Sequence, residues 1–302
     1  MKRREFLSRS GGAIAIGTLA LTAPRLIADH HGGGQKRIFK SIKMGMFNED
    51  VPLVEKFRLL RDMGYDGIEL NSPGGEDKEE ALRASREVGL PIHGVVDSVH
   101  WRDRLSDPDA EVRARGLRGL LTAIEETRYV GGSTVLLVPG RNADPENENH
   151  QHVWDRSIEA IRTALPLAAK NGVRILIENV WNGFCYVHDG PDDQKADQLA
   201  AYIDQFESPW VGVYFDIGNH QKYGKPAEWI RTLGPRIVKL DVKDWGKANG
   251  FSKIGDGDVD WADVRRALTE IGYTGWATAE VTGGPRDRIA DVAARMDRAL
   301  GL

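Results

Sequence analysis

Short apolar runs and longer amphipathic stretches alternate from about residue 38 to the C-terminus. The runs read as buried strands, because branched residues crowd into them and turn residues bound them. Residues 43–47 read as strand one, 67–70 as strand two, 91–96 as strand three and 134–138 as strand four. Residues 174–180, 211–216, 237–242 and 276–281 follow as strands five to eight. Between them, apolar residues recur at helical spacing, as Leu53, Phe57, Leu60 and Met63 do within 51–63. Further helices are expected over 76–88, 108–129 with Asp107 as N-cap, 151–170 stopped at Asn171-Gly172, 194–206, 226–233, 261–271 and 286–300.

Strict alternation of strand and helix implies a parallel sheet with right-handed crossovers. Eight such units over roughly 250 residues match a closed (β/α)8 TIM barrel, an α/β fold. An open doubly wound sheet fits less well. No glycine fingerprint follows strand one, and the carboxylates described below are spread over several strands. No linker interrupts residues 38–302, which are read as one domain.

The chain has 302 residues, 41% hydrophobic and 28% charged, with a net charge of −4. Nothing in that balance points to nucleic acid or an anionic membrane surface. The first thirty residues stand apart. Lys2-Arg3-Arg4-Glu5-Phe6-Leu7 carries the paired arginines of a twin-arginine export signal, and residues 11–23 form a modest Gly- and Ala-rich apolar stretch. Residues 1–30 are therefore expected to be a signal peptide, cut after Ala23 or Ala28, and 31–37 a flexible linker. The mature protein would be periplasmic or otherwise exported, with no membrane segment. It would carry a charge of about −7, since five basic and two acidic side chains leave with the signal. Cys185 is the single cysteine, so no intrachain disulfide can form. That suits a chain that folds, and takes any metal, before export.

Four of the apolar strands deliver an acid near their C-terminal ends: Glu178, Asp216, Asp241 and Glu280. Burying a bare carboxylate is costly unless it is paired or metal-bound. Strand parity turns all four the same way. Val238, Leu240 and Val242 should face the helices, which sends Asp241 inward; the same alternation sends Glu178, Asp216 and Glu280 into the barrel. The C-terminal face is where barrel enzymes keep their chemistry. Four converging carboxylates call for a counter-charge, and all-oxygen ligation suits one hard divalent ion such as Mg2+ or Mn2+. The plainer alternative is that these acids cap helices or pair with Lys239, Lys243 or Arg174.

Other residues are candidates for substrate contact. Glu69 also ends a strand, as a hydroxyl ligand or half of an internal salt bridge. His93 lies inside strand three, as a core residue or a substrate contact. His220, after Asp216, could meet substrate or metal. Asn219 and Lys243 stand beside the acids. Trp101, Trp181, Phe184 and Trp245 fall in loops at the barrel mouth, where an aromatic face can stack on a sugar ring. Gly283-Gly284 opens the last helix, a position that in barrels often holds phosphate.

Ile177-Glu178-Asn179-Val180-Trp181, Tyr214-Phe215-Asp216-Ile217-Gly218-Asn219, Leu240-Asp241-Val242-Lys243-Asp244 and Ile254-Gly255-Asp256-Gly257, with Glu280 closing, resemble the xylose-isomerase-like barrel superfamily. The likeness covers the whole chain after the export segment and is nearest to the tagatose-3-epimerase-like sugar isomerases and epimerases. It implies one Mn2+, Mg2+ or Co2+ held by Glu178, Asp216, Asp241 and Glu280. It further implies proton transfer next to a carbonyl through an enediolate, with Glu178 and Glu280 as base and acid. Asp241 departs from the family pattern, which usually has His there. A lyase or dehydratase acting on a keto-sugar or keto-glycoside, or a carbohydrate-binding barrel without turnover, stays open. The DNA-repair members carry extra histidines and a basic surface that this chain lacks. The expected partner is a small carbohydrate, with homo-oligomerisation left open.

Overall fold

In the computed structural model, which describes residues 37–302, Ile38–Lys43 (β1), Gly67–Ser72 (β2), Ile92–Asp97 (β3) and Thr134–Leu137 (β4) begin a parallel sheet. Arg174–Glu178 (β5), Val211–Asp216 (β6), Ile237–Val242 (β7) and Gly275–Ala279 (β10) complete it. Two short antiparallel strands, Asp244–Gly246 (β8) and Gly250–Ser252 (β9), form a hairpin between β7 and β10. The eight parallel strands close in the order β1-β10-β7-β6-β5-β4-β3-β2. Closure comes from β1 pairing with β10 over five positions, Ile38 opposite Gly275 to Ile42 opposite Ala279. The expected barrel is present among the described residues. The export segment and most of its linker lie outside them.

Leu53–Asp62 (α1), Lys78–Val88 (α2), Ala110–Tyr129 (α3), His150–Asn171 (α4), Asp197–Asp204 (α5), Pro226–Leu233 (α6), Trp261–Glu270 (α7) and Arg286–Leu300 (α8) surround the barrel. Their ends follow local chemistry. Asp77 accepts from Glu80 N–H and Asp260 from Asp263 N–H, while Gly89 and Gly172 end α2 and α4 in the left-handed conformation. The cap of α3 is Asp109 rather than Asp107, which instead accepts from Asp109 N–H. No helix of the described residues is long and apolar enough to cross a membrane.

The larger apolar core lies between strands and helices and holds Ile175, Ile177, Val213, Phe215, Leu240, Val242, Ala277 and Ala279. The barrel interior has its own small cluster of Leu136, Leu176 and Tyr214. Alternate residues of one strand thus serve two separate cores, as the period of two requires. Two further expectations need correction. Strand one is Ile38–Lys43, not residues 43–47. The apolar alternation is hidden because Lys40 takes a helix-facing position, where its ammonium meets Asp297 Oδ1 at 2.6 Å. Val238, expected to face the helices, falls in a register irregularity between β6 and β7 and packs on the interior cluster.

Candidate metal centre

Four strands bring four acids to one end of the barrel. Asp216 ends β6 and stands opposite Asp241 of β7 in register, Glu178 ends β5, and Glu280 follows β10 by one residue. One carboxylate oxygen from each lies within 4.8 Å of all the others. Glu178, Asp216 and Asp241 are buried, while the Glu280 side chain keeps 31% of its exposure. The structure therefore brings together the whole acid set expected from strand parity.

Two lysines enter the cluster. Lys43, at the end of β1, donates to Asp241 Oδ2 at 3.0 Å and Glu280 Oε1 at 2.5 Å. Lys243, just after β7, sits 3.0 Å from Asp216 Oδ2 and 2.7 Å from Glu280 Oε2, and donates to Asn219 Oδ1 at 3.1 Å. Pairing with Lys243 was foreseen as the plainer alternative, and it coexists with the cluster. Lys239 lies one layer lower, 3.7 Å from Glu69, and Arg174 opens β5 at the far end. The apolar pattern hides Lys43 by placing it at the start of a strand, whereas it ends β1.

The charges do not balance. Four carboxylates face two ammonium groups, and Asp241 Oδ1 is buried without a hydrogen-bond partner. Burial and the charge of Glu280 hold the Glu178 carboxyl well above its usual range. Burial raises Asp241 as well, against the pull of Lys43. Burial lifts Asp216 to about 6, against the pull of Lys243. Glu280 goes the other way: burial is outweighed by its two ammonium neighbours, and its carboxyl stays below the usual range. A divalent cation would cancel the two uncompensated charges and give Asp241 Oδ1 a partner. An all-oxygen donor set fits a hard ion.

The surroundings are organised around the same acids. Asn219 N–H donates to Asp216 Oδ1 at 2.7 Å, and Asn219 Nδ2 reaches Glu178 Oε1 at 3.4 Å. His220 does not touch the acids. Its buried ring lies against Trp229, with centroids 4.4 Å apart, and Nδ1 is 3.1 Å from Asn179 Nδ2. Burial lowers its pKa to about 3, so it is neutral and accepts at Nδ1. Glu69 and His93 occupy the layer below. Tyr214 Oη donates to Thr278 Oγ1 at 2.6 Å and lies 3.2 Å from Glu69 Oε2. His93 Nδ1 takes a hydrogen bond from Lys239 Nζ, and its ring stacks on Trp276 at 4.5 Å. Lys239 and Trp276 pair two register positions below Asp241 and Thr278, which puts His93 in the packed barrel interior, apart from the cluster.

A cavity of about 510 Å³ opens from Glu280 and Lys243, lined further by Phe251, Ser252, Lys253, Thr282 and Arg288. Phe251, in β9 opposite Trp245 and 50% exposed, lies 4.8 Å from the Trp181 ring, with Lys243 Nζ 5.3 Å from its centroid. Trp181 is fixed through its indole N–H, which donates to Asn219 O. The loop aromatics expected at the mouth thus divide. Trp181 faces the hairpin, Phe184 packs on Trp154 and Tyr202, Trp245 lines a different hollow beside Lys222, and Trp101 is 47% exposed. Phe251 was missed because it stands alone among polar residues, with no periodic signal.

Comparison with known proteins agrees with this geometry. The sequence profile of the xylose isomerase-like TIM barrel family matches residues 57–299. An L-ribulose-5-phosphate 3-epimerase, UlaE, of Escherichia coli O1:K1 is 25% identical over 277 residues, covering 85% of this chain and 94% of that protein. A solved L-ribulose 3-epimerase superposes with a TM-score of 0.70 at 20% identity, covering 88% of this chain and 95% of that one. The 3-keto-D-glucoside 4-epimerase YcjR of Escherichia coli gives 0.69 at 17% identity, covering 89% and 100%. With the barrel, its acid-bearing strand ends and a profile match over most of its length, this chain belongs to the xylose isomerase-like TIM barrel family.

Proposed function

We propose that this protein is a divalent-metal-dependent epimerase or isomerase of a neutral sugar or keto-sugar. The observation that carries the reaction type is the placement of Glu178 and Glu280. They come from β5 and β10, which β6 and β7 separate around the barrel, yet their carboxylates meet within one cluster. Two carboxylates approaching one carbon from different sides can remove a proton from one face and return it on the other. The epimerase names of the relatives support the same reading.

Glu178, Asp216, Asp241 and Glu280 would hold the metal, Mn2+ or Mg2+ by their hardness, with Co2+ also accommodated. When bound, such an ion supplies Lewis-acid polarisation of a carbonyl oxygen. The protein's own groups do the rest. One of the two glutamates takes the proton next to the carbonyl, the C–H pair moves into a C=C bond, and the carbonyl oxygen takes the negative charge. The other glutamate then protonates the same carbon from the opposite face. The ammonium groups of Lys43 and Lys243 stabilise negative charge there. Trp181 and Phe251 offer an apolar shelf for a sugar ring at the edge of the cavity.

The neutral substrate class is supported by the start of α8. A phosphate cradle needs free backbone N–H groups. Here Gly284 N–H donates to Met46 O at 2.9 Å and Arg286 N–H to Glu49 Oε1 at 2.9 Å. An acid of the protein already occupies that helix start. We further propose, from Arg3-Arg4 and the apolar stretch after it, that the enzyme works outside the cytoplasm, where sugar phosphates are scarce.

The test is incubation with Mn2+ in D2O, with neutral keto-sugars and their phosphates offered separately, following deuterium at the carbon next to the carbonyl. Exchange with a neutral keto-sugar is expected, and product analysis separates epimer from elimination product. A phosphorylated sugar preferred by more than about tenfold, or roughly 1.4 kcal/mol of transition-state binding, would overturn the neutral class. No exchange with any keto-sugar would overturn the reaction type.

A further inference from the structure

Lys43 and Lys243 hold the positions that a metal would compete for. Lys43 bridges Asp241 Oδ2 and Glu280 Oε1, and Lys243 bridges Asp216 Oδ2 and Glu280 Oε2. Both oxygens of Glu280 are taken, one by each ammonium. Both lysine side chains are nearly sealed from solvent, at 15% and 16% exposure. Neither has another carboxylate partner among the described residues within ion-pair distance. The two lysines come from β1 and the end of β7, on either side of β10, so they flank the one acid that both touch.

We propose that Lys43 and Lys243 are internal counter-ions that stabilise the metal-free site and set its metal affinity by competing for the carboxylates. Metal binding is then an exchange of cations, not an addition to an open site. Without the lysines, four clustered carboxylates would repel one another or be forced to take up protons. With them, three of the four acids are ion-paired, and Asp241 Oδ1 is left as the buried oxygen with neither hydrogen bond nor ion pair at which a divalent ion can begin to bind.

This inference rests on reading the acid cluster as a metal centre, and not on the reaction that centre performs. The experiment is titration of metal-stripped protein with MnCl2 alone by calorimetry, alongside thermal unfolding in EDTA, for wild type, Lys43→Met, Lys43→Arg and Lys243→Met. Removing one positive charge a few ångströms from the ion should tighten Mn2+ binding about tenfold or more. The same change should lower the melting temperature of the metal-free form by roughly 5 °C. Lys43→Arg, which keeps the charge, should stay near wild type in both. Opposite movement of the two readouts is the signature, since a merely structural lysine would weaken both together. Lys243→Met gives the same reading if Lys43→Met does not fold. Mn2+ affinity that is unchanged or weaker in the Met variants, or no Mn2+ binding by any form, overturns the proposal. Absence of deuterium exchange in a wild type that binds Mn2+ would overturn the proposed reaction and leave this inference standing.

Discussion

Asn179 clamps the backbone of Asp216. Its Nδ2–H donates to Asp216 O and its Oδ1 accepts from Asp216 N–H, both at 2.8 Å. The side chain supplies a two-bond ladder step just where β5 has ended. The second amide hydrogen of Nδ2 goes to His220 Nδ1, so both amide hydrogens are used and the orientation is fixed. The position of one acid is therefore set by a neighbour that bears no charge.

Asn179→Ala should leave the Asp216 N–H and C=O unpaired in a buried place. Each unmet group costs about 1–3 kcal/mol, so a loss of roughly 2 kcal/mol or more is expected in urea unfolding. Mn2+ affinity should fall as well, since Asp216 loses its fixed position. A loss below about 0.5 kcal/mol would show that the clamp bears no strain of folding.

Glu178→Gln and Glu280→Gln should each slow deuterium exchange by roughly 100-fold or more, as loss of an acid or base does. Far-ultraviolet circular dichroism on the same samples checks that the barrel is intact. A folded variant retaining more than a tenth of wild-type exchange would remove that glutamate from the proposed pair.

Asp241→His should shift metal preference towards Mn2+ or Co2+ over Mg2+, because imidazole suits softer ions than carboxylate does. Competition titrations of the three ions against one chelator measure the order directly. Binding of all three ions in an unchanged order would show that Asp241 serves to hold Lys43, its 3.0 Å partner, and not the ion.

Acid sensitivity should carry a contribution from His220. Burial lowers its pKa from 6.5 to about 3 in the folded state. The unfolded chain therefore binds a proton there between pH 6.5 and 3 that the folded chain does not. Stability from this group is full above pH 6.5 and is lost as pH falls through that window. In His220→Gln the slope of unfolding free energy against pH, measured between pH 4 and 6, should be smaller than wild type by about 1.4 kcal/mol per pH unit. Equal slopes in the two proteins would mean that His220 protonates without unfolding the barrel. Comparing slopes cancels the raised acids of the cluster, which act in the opposite sense in both proteins.

Replacing Arg3 and Arg4 together by Lys should keep the precursor in the cytoplasm, since the twin-arginine route reads that pair. Fractionation of cells expressing either form decides it. Export of the double variant at the wild-type level would assign the N-terminus to another route or to none.

The sequence alone carried the barrel and the acids. Strand and helix patterns depend on residues two or four apart, and apolar runs ending in Glu178, Asp216 and Asp241 declare both their strands and their inward parity locally. β6, α6, β7 and α8 fall where the pattern put them. Strand one did not, because Lys40 on its helix-facing side broke the apolar alternation that the reading depended on.

What the tertiary structure decided is which residues share a layer. Lys43 and Glu280 are 237 positions apart and meet only because β1 closes on β10. His93 and Glu69 sit on inward faces like the acids, yet the stagger of the strands leaves them one level lower, with Lys239 and Tyr214. Phe251 reaches Trp181 only through the hairpin after β7. Parity along a strand says inward or outward. Height within the barrel depends on register between strands, which no local pattern records.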